Sequence, residues 1–287
     1  MKSIHTYSTC FFVCGMIQLF AGDPESSQLP AESARPHYWF NPVPDSELRD
    51  LSADRPDGTE SPITVDAGHL QLEISFLDWA FDDLSDGGEF EAYVFAAANL
   101  KFGLWENTDL QVVFDVYTHE ETRSTDAPTE TVEGLSDVQL RLKHNVWGND
   151  GGRTAFGLLP FIKIPTGSQL SNDEIEGGIA FPFALDLCDR VGLGLMPEVD
   201  VVFDPFTGEH ELEFFHTAVL GFEVTEQLGL YTEYIGIASP LSPYQAHFSG
   251  GMTFALDDDT VLDAGVVAGL NDAARDLQLF TGITIRF

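Results

Sequence analysis

The sequence predicts an all-β fold, a transmembrane antiparallel up-and-down β-barrel of about 12 strands. The first observation behind this is the C-terminus, where Leu277, Leu279, Ile283, Ile285 and Phe287 share one parity and only Thr281 interrupts them. Gln278, Thr284 and Arg286 fall on the other parity, and a strand sends alternate side chains to opposite faces. Such a segment has one apolar and one polar face, and about 9–11 residues suffice for a tilted strand to cross a bilayer. The second observation is that this alternation recurs to give an even number of strand candidates, as single-chain outer-membrane barrels require. The third is composition: 23 Phe and 26 Gly against 13 Lys+Arg, with 44% hydrophobic residues but no long apolar run that could form a membrane helix.

The elements follow in chain order. Residues 1–21 read as an export signal, with Lys2 and His5 at the start, an apolar stretch from Cys10 to Phe20, and cleavage at Ala21-Gly22. Its removal leaves Cys188 as the only cysteine, so no internal disulfide and no cysteine metal site is expected. Residues 22–61 hold six of the fifteen prolines among acidic and small residues, and are expected to be a flexible lead-in. Within that segment His37-Tyr38-Trp39-Phe40 is an aromatic island suited to the barrel wall or a membrane face.

The barrel is expected over 62–287. Leu70, Leu72, Ile74 and Phe76 oppose Gln71, Glu73 and Ser75 on the first strand. Leu100, Phe102 and Leu104 mark the second, and Leu110, Val112, Phe114 and Val116, opposing Asp115 and Tyr117, mark the third. Val138, Leu140 and Leu142 form the fourth; Phe156, Leu158, Ile162 and Ile164 form the fifth, where Pro160 removes a ladder donor and marks a break. The later strands run around 179–187, 191–203, 212–222, 228–234, 244–254, 261–269 and 277–287. Short turns near 106, 149, 189, 226 and 258 alternate with longer links at 77–89, 119–135, 166–176, 204–210, 239–243 and 270–276, the asymmetry of an outer-membrane barrel. Three acidic groups fall in those longer links: Asp82, Asp83, Asp86 and Glu89; Glu120, Glu121, Asp126, Glu130 and Glu133; and Asp173, Glu174 and Glu176. They read as a solvated surface, a cation-attracting mouth, or a divalent-ion bridge to anionic lipid. A soluble sandwich also alternates, but an export signal and charges confined to one strand face favour the membrane barrel.

Two stretches carry a family likeness. Gly134-Leu-Ser-Asp-Val-Gln-Leu-Arg-Leu-Lys-His144, followed by Gly157-Leu-Leu-Pro-Phe-Ile-Lys-Ile-Pro-Thr-Gly167, resembles the outer-membrane transporter family associated with phenol meta-cleavage (MetA-pathway) gene clusters. The likeness runs in register over roughly 62–287, and Lys163-Ile-Pro-Thr-Gly167 is its most specific part. It implies a barrel handling small solutes, hydrophobic or aromatic ones included, and supplies no catalytic residues.

Net charge is −34, which excludes nucleic acid as a partner because phosphate contacts need clustered bases. Gly-x-Ser-x-Gly, P-loop and His-Glu-x-x-His patterns are absent, so no enzyme activity, cofactor or metal site is expected. His247 and Ser249 could form a hydrolytic dyad, as in a lipid hydrolase, yet both fall on the lumen parity, away from lipid. The polar faces carry the expected pore lining. Lys101, Arg141, Lys143, Lys163 and Arg286 come from strands 2, 4, 5 and 12, which adjoin in a closed barrel. Glu198, Asp200, Glu213, Glu223, Glu233 and Asp263 come from strands 7, 8, 9 and 11. The expectation is a basic wall facing an acidic one, either across an open lumen with a transverse field or paired across a plugged one. The expected role is a passive outer-membrane conduit whose partners are lipid and a small solute. A non-conducting structural or binding barrel is the alternative, and a lipid hydrolase the lesser one.

Overall fold

In a computed structural model of the chain, the described residues are 36–287 and the backbone of Cys14 and Gly15, which pairs with Pro56–Asp57. The rest of the expected export signal lies outside the described residues. Twelve strand positions close into one antiparallel barrel. They are β1 (Leu70–Asp83), β2 (Glu89–Trp105), β3 (Thr108–Arg123), β4 (Glu130–Gly134 and Val138–Trp147), β5 (Thr154–Ile164), β6 (Glu176–Ala180 and Phe183–Cys188), β7 (Val191–Asp204), β8 (Glu209–Glu223), β9 (Leu228–Ala238), β10 (Gln245–Asp257), β11 (Thr260–Gly269) and β12 (Leu277–Arg286). β12 pairs with β1, so the terminal strand is the closing strand.

Two prolines interrupt the ladders where the missing donor requires it. The β4–β5 register is the same on both sides of Pro160 but skips the rung that Pro160 would share with Leu142, a break without a shift. Pro182 separates the halves of β6.

Three strands are longer than their alternation suggests, and the acidic groups are accordingly not confined to loops. β1, β2 and β3 span 14, 17 and 16 residues. Phe76 and Leu77 are both exposed, as are Val116 and Tyr117, and Ala96 between them in the ladder has φ +54. Such a bulge shifts the parity, so the alternation breaks although the strand continues. Beyond it Tyr117 faces outward rather than inward, and Asp82, Asp83, Glu89, Glu120, Glu121, Glu130 and Glu133 sit on strands; Glu176 opens β6 rather than lying in a link. Connection lengths are therefore less asymmetric than expected: the link 148–153 at the rim carrying Phe287 exceeds the link 205–208 at the far rim.

The outer surface is apolar in a belt and aromatic at its edges, the arrangement of a lipid-facing barrel. Trp105, Trp147 and Phe287 mark the terminal rim, with exposures of 55%, 47% and 66%. The aromatic island joins them: Trp39 N–H donates to Leu104 O at 2.9 Å, and its ring lies 5.8 Å from that of Phe102. Towards the far rim, Trp79 Nε1 and Tyr93 Oη donate to Glu91 at 2.9 and 2.7 Å, and Tyr117 Oη donates to Glu133 at 2.7 Å.

The interior is mostly polar, and the chain before β1 fills much of it. Residues 22–61 had read as a flexible segment, but from residue 51 to 61 all but Ser52 are buried. Proline content argued against a packed element of its own; it does not prevent a loop from being held by the walls around it. Gly103 lets this segment lie against β2, because a Cβ there would meet Asp66 O at 1.9 Å. Gly103→Ala is therefore expected to cost about 1–3 kcal/mol by pushing backbone against backbone. Gly250→Ala, where the nearest atom would be 3.5 Å away, serves as the control in detergent melts. Equal melting of the two variants would contradict the close docking.

Candidate functional site

Residues 51–66 enter the lumen from the terminal rim and return to it, and the two walls hold them by opposite chemistry. On the basic wall, both carboxylate oxygens of Asp54 accept from Lys143 Nζ at 2.6 Å, and Asp54 also pairs with Lys101. Lys101 pairs in turn with Glu73, which accepts Asp54 N–H at 2.8 Å. Glu60 accepts from Arg141 Nη1 at 2.6 Å and lies 3.4 Å from Lys143 Nζ. Burial alone would raise the carboxyl of Asp54 in this inserted loop, but the ammonium groups of Lys101 and Lys143 outweigh it and hold Asp54 well below the usual carboxylate range.

On the acidic wall the loop presents donors. Arg55 grips Asp263 with two bonds, Nε to Oδ2 at 2.9 Å and Nη2 to Oδ1 at 2.7 Å, and donates a third to Ser75 Oγ at 2.7 Å. Gly58 N–H and Thr59 Oγ1 donate to the two oxygens of Glu233 at 2.8 and 2.7 Å, and Thr59 Oγ1 meets Thr217 Oγ1 at 2.6 Å. The returning chain is fixed by Asn145 Nδ2 to Pro62 O at 2.8 Å and by Val65 N–H to Asp109 at 3.0 Å.

Each charge singled out from the sequence thus has a place. Lys101, Lys143 and Arg141 hold the loop's acids; Glu233 and Asp263 hold its donors. The two walls face each other across the inserted loop. Glu198, Asp200, Glu213 and Lys163 line a cavity of about 410 Å³ toward the far rim, where Lys163 pairs with Asp137 and Glu176. Arg286 lines a second cavity, of about 650 Å³, at the terminal rim and pairs with Asp259 at 2.7 Å. Asp45, Asp50, Asp257 and Asp258 border that cavity too. Burial pushes the Asp50 carboxyl up, with Arg286 opposing and Asp258 adding to the rise. Glu223 lines a small pocket of about 50 Å³ near the same rim. Residues 52–62 border neither large cavity and separate the two.

Sequence reasoning missed Arg55, Asp54 and Glu60, although Asp54-Arg55-Pro56-Asp57-Gly58-Thr59-Glu60 sets one base among three acids around turn formers. It also missed Arg275, the one base in the 270–276 link, which projects into the far cavity over the Phe90 ring at 5.2 Å. His247 and Ser249 both face the lumen, and Ser249 Oγ pairs with Tyr231 Oη at 3.0 Å. Cys188 is exposed and free.

Comparison with known proteins agrees with this architecture. An outer-membrane channel from Pseudomonas putida F1 superposes with a TM-score of 0.60 at 11% identity, covering 82% of this chain and 99% of that one. The NanC porin gives a TM-score of 0.48 at 7% identity, covering 75% and 98%. The translocator domain of the autotransporter NalP from Neisseria meningitidis gives 0.48 at 10% identity, covering 76% and 88%. No curated protein matches by sequence. A family model matches residues 53–287, beginning inside the inserted loop rather than at β1. The chain therefore belongs to the β-barrel family described as "Putative MetA-pathway of phenol degradation".

Proposed function

We propose that the chain is an outer-membrane channel for passive movement of small solutes, and that the loop 51–66 is its gate. The observation carrying this reading is a lumen divided into two open cavities by a loop attached largely through hydrogen bonds and ion pairs. Such contacts can be exchanged for water, whereas a greasy plug would resist wetting. In this reading the terminal rim faces the periplasm, lipid surrounds the belt, and aromatic and hydrophobic compounds are among the solutes. Acids outnumber bases at both cavities, so cations are favoured over anions.

The test is reconstitution of the full chain into planar bilayers and liposomes, with an uptake panel of neutral phenols, aromatic acids and amines. Conductance with a reversal potential on the cation side in a salt gradient is expected. Glu233→Gln weakens the acceptor for Gly58 and Thr59 and is expected to raise the open fraction several-fold, since a hydrogen bond to a charged group contributes about 1.5–3 kcal/mol. Silence from both parent and variant would instead favour a non-conducting barrel, the reading that the buried ion pairs also support. The lipid-hydrolase alternative is checked by a lipase assay with Ser249→Ala; any activity lost in that variant would revive it.

A further inference from the structure

The inserted loop brings two of its own acids together. Asp54 and Glu60 are both buried and both reach Lys143 Nζ, Asp54 at 2.6 Å through each oxygen and Glu60 Oε2 at 3.4 Å. Their carboxyl groups are also in hydrogen-bonding contact with each other. Two carboxylates offer acceptors only, so such a contact needs a proton on one of them. Asp54 is poorly suited to carry it, since Lys101, Lys143 and Ser61 N–H, the last at 3.1 Å, already donate to its oxygens. Glu60 is better suited. Arg141 Nη1 donates to its Oε1 at 2.6 Å, whereas Oε2 is buried and receives no hydrogen bond among the described residues.

The surrounding charges point the same way. Glu73 of β1 and Asp109 of β3 join the two loop acids, against Lys101 of β2 and Arg141 and Lys143 of β4. Four acids thus face three bases, and a surplus charge is costly in a buried site. β7 supplies no base: Met196 Sδ meets Glu60 N–H at 3.3 Å, and Glu198 faces Arg141. On β9, Glu233 holds the adjacent Gly58 and Thr59. We propose that Asp54 and Glu60 form a proton-binding site, filled while the loop 51–66 is docked and emptied when the loop leaves the walls. Docking is then coupled to proton uptake, so the loop is held in mild acid and loosens as pH rises. The inference rests on the gate reading for its effect on conductance, though not for the proton itself. Burial, together with the charge of Asp54, pushes the docked Glu60 carboxyl up to about 7 against the opposing Lys143 and Arg141. In water the group returns to its ordinary value of 4.5. The docked value is the raised one, so this stabilisation is complete below the released value and is lost as pH rises through the docked one.

The experiment is hydrogen exchange, read by mass spectrometry over the loop in the full chain purified in detergent and corrected for intrinsic rates, at about pH 5.5 and about pH 8.5. Bilayer recordings are made at the same two pH values. In the parent, protection of the loop is expected to be roughly tenfold lower at the higher pH, with the open fraction rising to match. Glu60→Gln carries the missing donor permanently, because its amide N–H donates to Asp54 while its carbonyl still accepts from Arg141. It is expected to keep the acid level of protection at both pH values, whereas a residue acting only through its negative charge would loosen the loop at both. Glu60→Ala offers neither group and is expected to be loose throughout. Protection in the parent that ignores pH, or a pH response retained in a Glu60→Gln barrel with heat-modifiable migration on unboiled gels, overturns the site. Where that variant does not fold, the parent's midpoint decides: a transition at about pH 7 upholds the site, and one below about pH 5 overturns it. Loop protection that follows pH while conductance does not removes the gate reading and leaves the proton site. Conductance with pH-independent loop protection removes this site alone.

Discussion

Asp54→Ala is expected to open the lumen and to destabilise the plugged barrel by about 3–5 kcal/mol, the cost of stranding buried charges without their partner. Asp54 is the carboxylate that Lys101 and Lys143 share. Without it the two ammonium groups face one another with Glu73, Glu60 and Asp109 left to compensate, and the loop loses its principal hold on the basic wall. The readouts are a rise in open fraction in planar bilayers and a lower melting temperature in detergent. Parent-like traces with parent-like melting would show that the cluster is not what keeps the loop docked. The pH dependence has a definite sign. Because the folded carboxyl of Asp54 lies below its ordinary range, its stabilisation is complete above the unfolded value and is lost as pH falls through the depressed one. Acid opening through Asp54 is thus confined to strongly acidic conditions.

A disulfide between Thr59→Cys and Thr217→Cys, made in a Cys188→Ser background, is expected to abolish conductance until a reductant is added. The two hydroxyl oxygens are 2.6 Å apart and both side chains are buried. Sulfur atoms in those positions need only a small adjustment to reach a bond of about 2 Å. The loop would then be tied to β8 at its deepest point, beside Glu233. Conductance that ignores oxidation, with the crosslink verified by mass, would mean that solutes pass without moving the loop.

Much of the barrel was legible because a lipid-facing strand must repeat the same two-residue rule whatever its neighbours do. Leu277 to Phe287 could be read alone, and so could β10, where Phe248, Met252 and Phe254 face out against His247 and Ser249. The pattern failed where geometry departs from the rule. At Phe76–Leu77, Ala96 and Val116–Tyr117 one extra residue per strand reverses the parity, and the strand continuations carrying Glu89, Glu121 and His119 looked like loops. The site was half legible. Lys101, Lys143, Arg141, Glu233 and Asp263 announce themselves as charges on a lumen face, but nothing local in them says what they hold.

The sequence by itself determined the twelve strand positions, their inward and outward faces outside the three parity breaks, the closing role of the Phe287 strand, and the segregation of basic and acidic walls. Those are consequences of period-two alternation, which is fixed within a few residues. Only the tertiary structure decided that the walls are bridged by the loop 51–66, that the lumen is divided into two cavities, and that Glu198, Asp200 and Glu213 stand together. Arg55 meets Asp263 across 208 positions of sequence, and Gly58 meets Glu233 across 175. Contacts that distant arise from barrel closure, and a local pattern carries no trace of them.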